Sequence, residues 1–100
     1  MDINSYEQHK AAVMVIDDDD SVLKTTTLIL EEEGYKIEAF STGKEAIDSF
    51  NNTVHVVVLD INMPDMTGLQ VFKKIKSINP YVPIIFHTGT TARQEERRDL

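Results

Sequence analysis

The run Val56-Val57-Val58-Leu59-Asp60-Ile61-Asn62-Met63-Pro64-Asp65-Met66-Thr67-Gly68 joins an apolar segment to a polar loop. Because residues 56–59 include no polar position, they predict a strand that is covered on both faces, as in parallel sheets. Asp60 follows this strand, and open α/β sheets keep their ligand sites at such strand ends. Pro64 restricts the residue before it, and Gly68 can adopt backbone angles closed to other residues. The stretch therefore predicts a strand-end site at Asp60 under a constrained loop.

Four apolar segments alternate with amphipathic segments along the whole chain. The predicted strands cover residues 11–16, 35–40, 54–60 and 82–87. Helical segments lie between them, and Thr91 begins a last helical segment that reaches Leu100. A β-α-β-α-β-α-β-α order with right-handed crossovers gives a parallel sheet with helices on both faces. The expected fold is therefore α/β with a doubly wound parallel sheet.

Two of the predicted helices carry an apolar stripe that is expected to face the sheet. Asp20 or Ser21 is predicted to cap the first helix, and Gly34 to end it. Its predicted buried stripe comprises Val22, Leu23, Thr26, Ile29 and Leu30. Thr67 is predicted to cap the third helix. The predicted inward residues of that helix are Leu69, Phe72, Ile75 and Ile78.

Size and composition indicate one globular domain. The 100 residues carry a net charge of −7, which argues against direct nucleic-acid binding because phosphate contacts need clustered Lys and Arg. No apolar run approaches the roughly 20 residues needed to cross a bilayer, so no membrane association is expected. The start of the chain lacks a signal-peptide pattern and the sequence has no cysteine, so we expect a cytoplasmic protein. Residues 1–10 are expected to form a flexible leader before a domain over residues 11–100.

Acidic and hydroxyl side chains follow three of the predicted strands. Asp17 and Asp18 follow the first strand, Asp60 the third and Thr88 the fourth. Because parallel strands end at one edge, these groups are expected to share a cleft. Two carboxylates 4 Å apart repel by roughly 4 kcal/mol at an effective dielectric near 20, so the cluster calls for a cation. Oxygen ligands without Cys or His indicate a hard ion, Mg²⁺ before Ca²⁺.

Each of these residues also has a purely structural interpretation. An isolated acid run such as residues 17–20 forms a solvated turn and a helix cap, and Asp20 is assigned that role alone. Asp65 is assigned to a turn, and His87 is expected to pack within its strand rather than to act in catalysis. A second acid at a neighbouring strand end favours a site at Asp18 and Asp60.

The sequence resembles the receiver domain of two-component response regulators. The resemblance lies in Val15-Ile16-Asp17-Asp18-Asp19, in Val57 to Gly68, and in Pro83-Ile84-Ile85-Phe86-His87-Thr88-Gly89. It covers about residues 11–100. The family fold is flavodoxin-like with sheet order 2-1-3-4-5, so the resemblance implies order 2-1-3-4 for this chain, without the fifth strand and helix.

The resemblance also implies a role for each site residue. Asp60 corresponds to the phospho-acceptor, which takes a phosphoryl group from a histidine kinase or phosphotransfer protein. Asp18, Asp60 and the backbone carbonyl of Asn62 would hold Mg²⁺, and Asp17 would act through a water. Thr88 would donate a hydrogen bond to the phosphoryl oxygens. Such a domain is not an enzyme beyond transferring a phosphoryl group to and from its own aspartate.

The chain departs from the family pattern at its C-terminal end. A receiver continues with a fifth strand that carries a Lys and an aromatic residue, whereas this sequence stops at Leu100. The fourth strand, residues 82–86, then becomes an exposed apolar edge, and such edges pair with other chains. A truncated receiver that forms a homodimer through the fourth strand or helix, by edge pairing or domain swapping, is therefore expected.

Two other functions remain open at the level of sequence. The chain could be a degenerate receiver that acts as a dimerisation or interaction module without phosphorylation. A haloacid-dehalogenase-type phosphatase also places a nucleophilic Asp after an apolar strand and a Thr after the next. That family needs a second acid two residues after the nucleophile, where this chain has Asn62.

Overall fold

The structure, a computed structural model, describes residues 10–64 and 66–87. It contains β1 (Ala12–Ile16), α1 (Asp20–Glu32), β2 (Lys36–Phe40), α2 (Gly43–Ser49), β3 (Val56–Asp60), α3 (Gly68–Ile78) and β4 (Ile84–His87). Most of the predicted leader and the helix predicted from Thr91 lie outside the described residues. No helix in the described part of the chain is long and apolar enough to cross a membrane.

The four strands form one parallel sheet in the order β2-β1-β3-β4. The α/β fold class and the order 2-1-3-4 are thereby confirmed. Ile16 of β1 is in register with Leu59 of β3, and Asp60 of β3 is in register with His87 of β4. The amide of Asp17 donates to the carbonyl oxygen of Phe40 at 3.1 Å, which continues the ladder one residue past β1.

The main core lies between the sheet and helices α2 and α3. Alternate residues of the central strands, Met14, Ile16, Val57 and Leu59, are fully buried there. They pack with Ala46 of α2 and with Val71 and Ile75 of α3. Because side chains alternate between the faces of a strand, the other residues of these strands point to the opposite face.

The opposite face of the sheet is only partly covered by α1. A groove of about 390 Å³ remains, and its lining includes Leu30, Val58 and Ile85. No residue of α1 is fully buried, and the predicted burial of Val22 and Ile29 is wrong, since they are 39% and 55% exposed. Within the described residues α1 is the only helix on this face, so no neighbouring helix covers its flanks.

Side-chain and backbone caps define the ends of α1. Asp19 is the N-cap instead of the predicted Asp20 or Ser21, and its Oδ1 accepts from the amides of Ser21 and Val22 at 3.0 and 3.2 Å. The helix ends at Gly34 as predicted, where φ is +95°. A left-handed residue at this position allows the final amides to bond back to the last turn, and glycine adopts it without strain.

The buried face of α3 differs from the predicted one. Thr67 caps the helix as predicted and forms a capping box with Gln70. Leu69 and Ile78, predicted to face inward, are 56% and 48% exposed. The buried residues are Gly68, Val71 and Ile75. The amide of Gly68 donates to the carbonyl oxygen of Ile61 at 2.8 Å, which ties the first residue of the helix to the end of β3.

Candidate functional site

Three carboxyl groups meet at the C-terminal edge of the sheet. Asp17, Asp18 and Asp60 each offer an oxygen, and these oxygens all lie within 4.8 Å of one another. Asp17 is only 3% exposed and Asp60 only 6%, whereas Asp18 is open to solvent. The geometry therefore places together the three acids that the strand-end argument assigned to one cleft.

Asp17 is held through both carboxylate oxygens. Its Oδ1 accepts a hydrogen bond from the amide of Asp19 at 2.9 Å. Its Oδ2 lies 3.3 Å from Nε2 of His87. Among residues 10–64 and 66–87, His87 is the only basic side chain within ion-pair distance of the cluster. The cluster thus holds three acids and one imidazole.

The loop after β3 orients Asp60. The amide of Asn62 donates to Oδ1 of Asp60 at 3.1 Å, and this bond fixes the rotation of the carboxylate. The amide of Ile61 donates to the carbonyl oxygen of His87 at 3.1 Å and extends the β3–β4 ladder beyond the strand. Asp60 is therefore fixed by a hydrogen bond to its side chain and by a backbone hydrogen bond from the residue that follows it.

Position 68 requires glycine because the start of α3 lies against the backbone at the end of β3 and leaves no room for a side chain. Its backbone angles are not the reason. In the described part of the chain only Gly34 has positive φ, so Gly68 does not use the backbone angles that are open to glycine alone. A Cβ at position 68 would lie 2.6 Å from both the carbonyl oxygen of Asp60 and Cα of Ile61. These backbone atoms cannot move aside without disturbing Asp60 itself.

The electrostatics of the cluster appear most clearly at Asp18. Partial loss of water around its carboxyl raises the pKa of Asp18 above its ordinary value of 3.8. A side-chain hydrogen bond with Asp60 and the negative charge of Asp60 raise the pKa further. The folded protein thus resists placing a full negative charge on Asp18. A bound cation would remove that resistance.

The donor set fits Mg²⁺. Carboxylate and carbonyl oxygens are the ligands that Mg²⁺ prefers, with waters completing its shell. Asp18, Asp60 and the carbonyl of Asn62 remain the predicted ligands, with Asp17 acting through a water. Thr88 lies outside the described residues, as does the predicted turn residue Asp65.

His87 is the residue at the site that the sequence analysis did not place there. It was expected only to pack within β4, but its ring reaches the Asp17 carboxylate. The sequence did contain a signal for this position, since His87 ends a predicted strand on the same edge as Asp60. Parallel strands bring it to that edge just as they bring the acids.

Comparison with known proteins identifies the fold family. The family model for the response regulator receiver domain matches residues 13–99. This chain belongs to that family. The predicted family is confirmed, and the match displaces the haloacid-dehalogenase alternative. The receiver domain is a module of two-component signalling.

Individual relatives agree with this assignment. The response regulator SaeR of Staphylococcus aureus is 37% identical over 65 residues, which cover 65% of this chain and 28% of SaeR. The non-phosphorylated HemR receiver domain of Leptospira biflexa superposes with a TM-score of 0.77 and 29% identity, over 89% of this chain and 73% of that one. CheY in the CheX–CheY–BeF3–Mg²⁺ complex of Borrelia burgdorferi superposes with a TM-score of 0.75 and 27% identity, over 83% of this chain and 66% of that one. The chain thus spans little more than a quarter of SaeR.

Asp18→Asn is expected to raise the melting temperature of the metal-free receiver at pH 7. An exposed like-charge contact costs roughly 0.2–1 kcal/mol, which corresponds to a gain of about 1–8 °C in a domain of this size. The raised pKa means that the folded protein binds the Asp18 proton more tightly than the unfolded chain. Stability is therefore lost as the pH rises from 3.8 through the folded pKa, and the benefit of the substitution should vanish below that window.

Thermal unfolding by circular dichroism between pH 3 and pH 8, without divalent ions, measures this effect. Asp48→Asn is the matched control, because it removes an exposed acid of α2 that pairs only with Lys44. A lower melting temperature for Asp18→Asn at pH 7 would show that the Asp18 carboxylate stabilises the fold instead of straining it.

Proposed function

We propose that Asp60 accepts a phosphoryl group from a histidine kinase or a phosphotransfer protein in a Mg²⁺-dependent reaction. The observation that carries this proposal is the convergence of Asp17, Asp18 and Asp60 at the end of β3 in a chain of the receiver family. Asp60 is buried and oriented, as a nucleophile that must meet its donor in one geometry should be.

The proposed reaction forms a bond between a carboxylate oxygen of Asp60 and the phosphorus of the donor. The bond from phosphorus to the donor histidine nitrogen breaks, and that nitrogen takes up a proton. The amide of Asn62 keeps the Asp60 carboxylate in a single rotation during the attack. Thr88 would then donate a hydrogen bond to the phosphoryl oxygens. The domain itself is thus substrate and catalyst, not an enzyme acting on other molecules.

Mg²⁺ would be held by Asp18, Asp60 and the carbonyl of Asn62, with Asp17 acting through a water. The ion supplies positive charge that offsets the charge developing on the transferring phosphoryl group. Support comes from the oxygen donor set and from the Borrelia complex, whose CheY is crystallised with BeF3 and Mg²⁺. Among the described residues no Lys or Arg pairs with these acids.

Intact-mass spectrometry after incubation with acetyl phosphate tests the proposal. With Mg²⁺, the wild-type chain is expected to gain one phosphoryl group, and Asp60→Asn is expected to gain none. Asp48→Asn carries the same chemical change on α2 and should be phosphorylated like the wild type. Chelation of Mg²⁺ should abolish the adduct. An adduct of equal yield in Asp60→Asn would contradict the assignment of the acceptor.

A second candidate function is assembly into a homodimer through β4, with or without phosphorylation. Within the described residues β4 pairs only with β3, and its Ile85 is 55% exposed and Phe86 38% exposed. An unpaired apolar edge of this kind is a template for strand addition. Light scattering should show a mass that rises with concentration, and Ile85→Lys should suppress the rise. A monomer at every concentration would contradict this candidate.

We also propose that the receiver domain extends over residues 11–100, after a short leader of residues 1–10, and that it works in the cytoplasm. The family match over residues 13–99 supports the extent. A location shared with the kinase or phosphotransfer donor is what the proposed reaction requires.

A further inference from the structure

Three polar side chains form one row across the end of the sheet. Asp60 lies level with His87 on β4, and Ile16 lies level with Leu59, which places Asp17 level with Asp60. Residues in register on parallel strands point to the same face. The imidazole of His87 therefore lies on the same face of the sheet as the carboxylates of Asp17 and Asp60.

The Nε2 atom of His87 is buried without a hydrogen-bond partner among the described residues. The side chain as a whole is 27% exposed, so it is the inner nitrogen that is withdrawn from water. Nε2 lies 3.3 Å from Oδ2 of Asp17, but not in hydrogen-bond geometry. Buried polar atoms are normally paired, so an atom in this state calls for an explanation.

The spacing of these two atoms suits two ligands of one metal ion. Donors that each lie about 2.1 Å from an ion are separated by about 3.0 Å at a right angle and by about 3.4 Å at the tetrahedral angle. The observed 3.3 Å between Nε2 of His87 and Oδ2 of Asp17 falls within that interval. An ordinary contact between an imidazole nitrogen and a carboxylate oxygen has a similar length, so the spacing permits a shared ion and the buried, unpaired Nε2 atom is what points to one.

We propose that His87 is a protein ligand of the divalent ion at the Asp17–Asp18–Asp60 cluster, through Nε2. In this arrangement Oδ2 of Asp17 binds the same ion directly instead of through a water. A nitrogen donor favours first-row transition ions, because imidazole binds them far better than it binds Mg²⁺. Ni²⁺ then gains more affinity from His87 than Mg²⁺ does, and Mg²⁺ still binds through the oxygen donors. The inference rests on the proposed metal site and adds His87 to the side chains of Asp17, Asp18 and Asp60.

Electron spin-echo spectroscopy of the chain loaded with Mn²⁺ alone tests the proposal directly. All other proposed ligands are oxygens, so coupling of the ion to a nitrogen nucleus is diagnostic of His87. The coupling should appear in the wild type and change to that of ¹⁵N when the histidines are labelled with ¹⁵N. It should disappear in His87→Gln and persist in His55→Gln, since His55 accepts from the Ala12 amide at the other end of the sheet.

Calorimetric titration gives a second and independent readout. His87→Gln should weaken Ni²⁺ binding by about tenfold or more, as loss of a group that supports a metal does. Mg²⁺ binding should change much less, because Mg²⁺ relies on the oxygen donors. The labelled wild-type measurement needs no substitution, so the proposal can fail even if His87→Gln does not fold.

The outcomes separate this inference from the proposed function. A manganese signal without nitrogen coupling, in a chain that is phosphorylated on Asp60, overturns the role of His87 and leaves the acceptor intact. Failure to bind any divalent ion, together with the absence of an adduct, overturns both. Equal losses of Ni²⁺ and Mg²⁺ affinity in His87→Gln would show that His87 supports the fold of the site and does not bind the ion.

Discussion

Gly68→Ala is expected to destabilise the domain by about 1–3 kcal/mol and to weaken Mg²⁺ binding at the same time. The added methyl group would lie 2.6 Å from the carbonyl oxygen of Asp60 and from Cα of Ile61. Both contacts are with backbone, so relief requires moving the strand end that carries the acceptor. Urea unfolding and calorimetric titration with Mg²⁺ measure the two effects.

Gly43→Ala is the matched control for this substitution. A Cβ at position 43 would meet Cγ2 of Val71 at 2.7 Å and atoms of Met66, all of them side chains away from the cluster. It is expected to cost stability while leaving Mg²⁺ affinity unchanged. If Gly68→Ala also leaves Mg²⁺ affinity unchanged, the loop does not position the site as described.

Leu59→Ala is expected to lower the free energy of unfolding by about 2–5 kcal/mol. Leu59 is completely buried on the central strand, directly beside the acceptor, and its removal leaves a cavity facing α2 and α3. Leu69→Ala, on α3, removes the same number of atoms from a side chain that is 56% exposed. It should cost less than about 1 kcal/mol.

Denaturant unfolding of these two variants also tests the orientation of α3. The apolar pattern assigned Leu69 and Ile75 to the core; the structure buries Ile75 as predicted but buries Val71 in place of Leu69. Similar losses in the two variants would contradict the structure and restore the orientation predicted from sequence.

The strands and the position of the cluster could be predicted because they depend on local signals. An apolar run that ends on an acid shows both where β3 is and where it stops. The common edge of parallel strands then brings Asp17, Asp18 and Asp60 together, as the structure has them. Parallel pairing determines this result without any knowledge of side-chain packing.

The helix faces and the first cap could not be predicted, because they depend on specific contacts that the apolar pattern does not report. The first residue of α3, Gly68, bonds to Ile61 at the end of β3, and periodicity gives no sign of this contact. The sequence pattern predicted Asp20 or Ser21 as the cap of α1, whereas the cap is Asp19, one residue earlier. The choice of Asp19 follows from where Asp17 is held in the cluster.

The role of Asp60 as acceptor is the central claim, and locating the phosphoryl group within the chain tests it most directly. Borohydride reduces an aspartyl phosphate to homoserine, so the chain treated with acetyl phosphate and Mg²⁺ can be reduced, digested and sequenced by mass spectrometry. Homoserine is expected at position 60 and at no other aspartate. Homoserine at Asp17 or Asp18, or at no position, would contradict it.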